Sequence, residues 1–217
     1  GYWPFDNDFK DYSGNGRDGS VHNNASLDIV RKALSVDQSL GRSWLKFSMI
    51  KFSEHQPWTI SAWMNWHYDG SGNGAWIGDD VLKYYEYLYA SGKFGFREDA
   101  SQGYNQIYLG DTSLYENNGW QYICFQYIPD GSGFGTMYCY VNGELLDSET
   151  GVKGSIDINM FGHGNFNSAD DRDGGITGYI DDALIYSRVL SISEIKQFYD
   201  KGRSSIEQLV AKDSCKV

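Results

Sequence analysis

The sequence predicts an all-β fold, a two-sheet antiparallel sandwich with a short C-terminal helix, and three observations carry that reading. Short runs of aromatic and β-branched residues, bounded by Gly, Asn, Asp and Ser, recur along the 217 residues. Aromatic residues make up 16% of the chain, with seven Trp and seventeen Tyr, a load suited to pleated, half-buried surfaces. Clear helix signals are confined to the end. With 41% hydrophobic residues a chain of this length can bury one sizeable core, so residues 1–202 read as one domain and 203–217 as a tail, docked helix or linker.

The first element is Trp3-Pro4-Phe5, which runs into Asp6, Asp8 and Asp11 and the turn Ser13-Gly14-Asn15-Gly16. Near the close, Gly178-Tyr179-Ile180-Asp181-Asp182-Ala183-Leu184-Ile185-Tyr186 is a second aromatic and aliphatic strand carrying acids. Side by side, these ends gather hard oxygen donors of the kind that bind calcium, and Asp181 and Asp182 point to opposite faces of a regular strand. Between them, Pro57 to Trp66 alternates large apolar with small or polar residues, as a strand with one buried face does. Trp58, Trp63 and Trp120 are assigned to the core. A meander follows: Trp120 to Tyr127, a Pro129-Asp130-Gly131-Ser132-Gly133 connection, Thr136 to Val141, the Asn142-Gly143 turn of type I′, and a returning Glu144-Leu145-Leu146. The closing helix starts at a capping box, Ser191 with Glu194, buries Ile195, Phe198 and Tyr199, and stops at Gly202. A weaker amphipathic stretch, Ile206, Leu209 and Val210, follows.

Cys124 and Cys139 fall on expected hairpin partners, where a cross-strand bridge is sterically conceivable and two small buried hydrophobes are the plainer reading. Cys215 lies in the polar tail. Together the three define neither a disulfide framework nor a metal spacing.

The two terminal segments, the Trp-Thr-Ile-Ser-Ala-Trp strand at 58–63 and the Tyr-Val-Asn-Gly turn at 140–143 resemble the signature strands of the laminin-G-like group within the concanavalin-A-like jelly rolls. The resemblance implies a jelly-roll sandwich in which the N-terminal acidic turn and the acidic pair of the last strand lie together around a shared ion. The expected cofactor is calcium, with Asp6, Asp11, Asn15 and Asp181 as its ligands. Asn7 and Asp8 depart from the family pattern, which has glycine followed by asparagine there.

A formal net charge of −11, with no dense run of Lys or Arg, disfavours nucleic acid, and no apolar stretch is long enough to span a membrane. The start at Gly1 without Met or a leader suggests a segment of a longer, multidomain, extracellular or surface protein. Asn24-Ala25-Ser26 fits the N-glycosylation triplet, a signal of low specificity. Catalysis finds little support. Retaining glycosidases need two carboxylates about 5 to 5.5 Å apart, and the acidic pairs Asp79-Asp80, Glu98-Asp99 and Asp181-Asp182 are adjacent residues that point apart on a strand. His22, His55, His67 and His163 lie in no catalytic pattern and read as loop or surface residues.

A glycan-binding domain is the leading functional expectation, because aromatic platforms beside amide and basic side chains hold sugars on a rigid scaffold. Trp66, Trp76, Arg97, Tyr104 and Asn105 are the candidates. Protein-binding adhesion or display, for example in a viral fibre, is the alternative. A glycan-active enzyme ranks third.

Overall fold

The computed structural model describes residues 1–39, 41–67, 74–79, 84–89, 93–97, 106–112, 115, 117–163 and 175–202. Among the described residues, fifteen strands form two antiparallel sheets. In chain order they are β1 (Tyr2–Trp3), β2 (Ser20–His22), β3 (Ser26–Asp28), β4 (Ala33–Val36), β5 (Trp44–Phe52), β6 (Trp58–His67), β7 (Gly74–Gly78) and β8 (Tyr84–Tyr89). Then come β9 (Lys93–Arg97), β10 (Gln106–Asp111), β11 (Gln121–Pro129), β12 (Gly135–Val141), β13 (Glu144–Val152), β14 (Ile156–Phe161) and β15 (Thr177–Tyr186). One sheet has the order β13-β12-β11-β6-β15-β4-β3, with β1 also beside β15; the other runs β10-β9-β8-β7-β14-β5-β2.

The two ends of the fold do lie together. Tyr2 pairs with Leu184 and Trp3 with Ala183, and Gly1 and Ile185 exchange backbone hydrogen bonds of 2.8 and 2.9 Å. Period-two alternation then sends Trp3 inward against Phe47, with ring centroids 4.6 Å apart, and leaves Tyr2 on the outer face. β15 is not regular, however. Its register with β6 shifts between Asp181 and Leu184, where Asp182 adopts a φ of 46°, so the two acids are separated by a bulge instead of by simple alternation.

The meander forms as read. β11 pairs with β12 and β12 with β13, and Asn142 and Gly143 take φ values of 51° and 80°, as a type I′ turn requires. Asn142 Oδ1 also accepts a hydrogen bond from the Tyr122 amide at 2.9 Å. The register sets Cys139 opposite Phe125 and Cys124 opposite Tyr140, which sends the thiols to opposite faces; both are buried and no disulfide joins them.

β6 is buried on both faces, not on one. Its inward side chains, Ile60, Ala62, Met64 and Trp66, belong to the inter-sheet core. Its outward Trp63 joins Tyr122, Cys124, Tyr140, Leu190 and Ile195 in a second cluster. Covering that cluster is helix α1, residues 192–202. The expected capping box closes it, with the Ser191 amide donating to Glu194 Oε2 at 2.8 Å and the Glu194 amide to Ser191 Oγ at 3.3 Å. The approach to the helix is pinned through Thr59 Oγ1, which donates to the Arg188 carbonyl at 2.7 Å and accepts from Gln126 Nε2 at 3.1 Å. Trp120 is half-buried against this second cluster, short of the full burial expected.

Gly202 is helical and its φ is not positive, so it is not the left-handed stop that the sequence suggested. Its missing side chain serves packing: a Cβ there would stand 1.7 Å from Trp63 Nε1. Gly202→Ala is therefore expected to destabilise the domain by about 1–3 kcal/mol through overpacking, measured as a lower urea midpoint at unchanged m-value.

Candidate functional site

The N-terminal acidic turn is organised by Asp11. Its carboxylate accepts amide hydrogen bonds from Tyr2 at 3.0 Å, Ser13 at 2.9 Å and Arg17 at 3.3 Å. Burial by itself would raise this carboxyl, but the bonds from Ser13 and Tyr2 outweigh it and hold the group below the ordinary Asp value. Both oxygens are thus committed to shaping a turn, as Asp does in loops. Asn15 is exposed and donates to Ser13 Oγ at 2.8 Å. Neither residue joins Asp181.

A separate acidic corner forms where β15 bulges. Asp181 is 8% exposed and accepts the Asp182 amide at 2.9 Å. Burial, then the charges of Asp182 and Asp6, push its carboxyl up to about 9. Lys32 Nζ lies 3.4 Å from Asp6 Oδ1 and partly offsets the strain on Asp181. The expected quartet of Asp6, Asp11, Asn15 and Asp181 is therefore not assembled: Asp6 and Asp181 share a corner, and Asp11 and Asn15 belong to the turn. Among the described residues no group of three or more His, Cys, Asp or Glu is arranged to hold a metal ion. As a fit for calcium the corner offers two carboxylates, one of them buried where a charge needs a cation.

Beside this corner is a groove of about 670 Å³, a size usual for small-ligand sites. Tyr2, Asp182, Trp63, Tyr122, Phe198 and Lys201 line it together with Met49 to Phe52 of the other sheet, so β1, β15, β6, β11, α1 and β5 all contribute. Tyr2 Oη donates to Asp182 Oδ1 at 2.9 Å. Burial raises the Asp182 carboxyl, while Tyr2 and Lys201 act against the rise. Tyr122 is 1% exposed, and burial holds its phenol protonated. Tyr122 Oη and Trp63 Nε1 are buried without a hydrogen-bond partner among the described residues; Ser61 Oγ lies near Tyr122 Oη, but neither atom completes a bond. The Asp11 turn supplies the remaining wall, since Ser13, Asn15 and Arg17 also line the groove.

The expected sugar platforms lie elsewhere. Trp66 is 2% and Trp76 is 1% exposed, both packed in the inter-sheet core, Trp66 against Phe94 and Trp76 stacked over Phe161 at 6.4 Å. Neither presents a ring face to solvent, because the strands that carry them turn these positions inward. Arg97 is on β9 with its side chain outside the described residues, and Tyr104 and Asn105 also lie outside them. Sequence reasoning missed the groove, since Tyr122 and Trp63 carried only a core signal and Arg17 none.

The four His divide. His67 is exposed beside Asn117 Oδ1, and His22 stacks on Trp44 at 5.0 Å. His163 is not a surface residue: it is fully buried, and burial together with Arg42 pushes it down to about 4.

A family profile described as the concanavalin A-like lectin/glucanases superfamily, of laminin G type, matches residues 40–196. The chain belongs to that superfamily. No curated protein matches the chain significantly. Among solved structures, the binding domain of Paraclostridial Mosquitocidal Protein 1 aligns with a TM-score of 0.67 at 19% identity, over 88% of this chain and 49% of that one. Domain 4 of AbnA, a GH43 extracellular arabinanase from Geobacillus stearothermophilus in complex with arabinotriose, aligns at 0.63 and 19%, over 90% and 95%. A botulinum neurotoxin type C structure, from work on cell entry through two ganglioside molecules, aligns at 0.62 and 15%, over 92% and 50%. The chain spans about half the length of these two toxin chains. At such identities the likeness establishes the fold.

His163 gives a pH prediction with a definite sign. A base whose pKa falls from 6.5 to about 4 on folding leaves more protons on the unfolded chain, so its contribution is full above pH 6.5 and is lost as pH falls toward 4. Replacing His163 with Gln is expected to remove a slope of up to about 1.4 kcal/mol per pH unit from urea-unfolding free energies in that window. A variant with the wild-type slope would assign the acid lability to another group.

Proposed function

We propose that the chain is a non-catalytic, glycan-binding module of an extracellular or surface protein, with the groove as its seat. The observation that carries this reading is the groove wall, where Tyr122 Oη is buried with its hydrogen bond unmade; Trp63 Nε1 is also unsatisfied but is covered by the Gly202 backbone. Leaving a polar group so costs about 1–3 kcal/mol, a cost that a ligand offering acceptors relieves. Aromatic side chains from Tyr2, Tyr186 and Phe198, all partly exposed, supply the apolar surface against which sugar rings pack. The arabinotriose of the arabinanase domain and the gangliosides named for the neurotoxin make saccharides the natural first probes.

Glycan-array screening of the domain, followed by calorimetry on the hits, tests this. Tyr122→Phe is expected to weaken binding about three- to tenfold while the melting midpoint stays or rises, since it deletes an unsatisfied hydroxyl. Undiminished affinity in that variant would remove the groove from the reading.

Calcium belongs to the same proposal as a structural ion, with Asp6 and Asp181 as its carboxylates. Bound there, a hard divalent cation would supply the charge that the buried Asp181 carboxylate lacks. Melting curves with calcium and with chelator are expected to differ by several degrees, and Asp181→Asn to abolish the difference. Identical curves for the unaltered domain would withdraw the ion.

A further inference from the structure

We infer that the groove is built for an anionic saccharide, one bearing a uronic or sialic carboxylate. The inference rests on the glycan reading and adds the charge of the ligand.

Cationic side chains outnumber carboxylates in the groove. Arg17 enters from the Asp11 turn, Lys201 from the last described turn of α1 and Lys51, paired with Asp157 at 2.9 Å, from β5, so three cations reach the same volume from separate walls. Arg17 is held on both sides of its backbone: its amide donates to Asp11 Oδ2 at 3.3 Å, and its carbonyl accepts from Trp3 Nε1 at 3.1 Å. No salt bridge engages its guanidinium among the described residues. Tyr122 Oη, buried without a hydrogen-bond partner among the described residues, is a further donor on the groove wall. Asp182 is the carboxylate lining the groove, and its Oδ1 is already occupied by Tyr2 Oη.

A neutral sugar brings hydroxyls that both give and take, and fits best where donors and acceptors are balanced. Among charged side chains this groove is weighted to cations, Arg17, Lys51 and Lys201 against Asp182. A carboxylate brings two acceptor oxygens with about four lone-pair directions, matching a guanidinium in a forked pair and leaving lone pairs for a phenol. The placement is also informative against the whole chain. With a net charge of −11 the protein repels anions at long range, so cations gathered at one depression create a local exception.

Calorimetry separates the possibilities, using sialyllactose against lactose and trigalacturonate against its methyl ester at two salt concentrations. At least one acidic member is expected to bind roughly tenfold or more tighter than its neutral partner, as the loss of charge-assisted hydrogen bonds implies. Its affinity should fall with added salt. Arg17→Gln and Lys201→Gln, both surface changes whose folding is checked by near-ultraviolet circular dichroism, should each erase most of that preference, read as the ratio of acidic to neutral affinity within each variant. Equal binding of acid and neutral forms, unchanged in both variants, would overturn the charge assignment and leave the glycan reading standing. If arabinotriose and every array glycan also fail to bind, the glycan reading falls with it.

Discussion

The structure depends on two residues of chain start pairing with the last strand. Tyr2 and Trp3 lie against Leu184 and Ala183, with Gly1 and Ile185 closing the ladder. A two-residue strand has little stability of its own; burial supplies it, because Trp3 is fully enclosed and packs against Phe47 and Phe161 at centroid distances of 4.6 and 5.2 Å. An indole buried there is worth several kcal/mol, far more than the few ladder bonds it secures. The strand's other face then becomes useful. Tyr2 points outward to Asp182, and the following chain is drawn back by Asp11 to deliver Arg17 beside it.

A second constraint comes from α1. An outer sheet face carrying Trp63, Tyr122, Tyr140 and Tyr186 cannot stay exposed without inviting association, and the helix removes most of it from water. The path into the helix is fixed where Thr59 and Gln126 meet the carbonyls of Arg188 and Leu190. Gly202 then lets the backbone rest on the Trp63 indole. A groove remains between the end of this cover and β1. It is a by-product of closing the sandwich twice, once with a strand and once with a helix.

What the sequence made legible was local chemistry. Asn142-Gly143 demands positive φ whatever surrounds it, Ser191 and Glu194 satisfy each other within one turn, and hydrophobic alternation marks β11 and β12. Pairing of the two ends was legible through the family resemblance, since nothing local brings Trp3 to Ala183. Errors arose where long-range packing decides. Trp66 and Trp76 look like surface platforms from the Gly-rich segment between them, yet the pleat directs both into the core. The part Asp11 plays in drawing the amides of Tyr2, Ser13 and Arg17 together was equally invisible, since no local pattern marks it. Gly202 reads as a stop and acts as a contact surface, a distinction set by a tryptophan well over a hundred positions away.

The bulge in β15 is the least legible feature, and it organises the rest. On a regular strand Asp181 and Asp182 would project to opposite faces, one of them into the inter-sheet core, where an unpaired carboxylate is expensive. Shifting register by a residue keeps Ile180 and Ala183 inward and turns both acids away from that core. Asp181 then falls beside Asp6 and Lys32, and Asp182 beside Tyr2 and Lys201. Asp6 bears on both acids, but each meets a different lysine, Lys32 for Asp181 and Lys201 for Asp182. Two neighbouring residues thereby divide into one that joins the Asp6–Lys32 corner and one that lines the groove. The positive φ of Asp182, a conformation uncommon for residues other than Gly, Asn and Asp, is the backbone cost of that division.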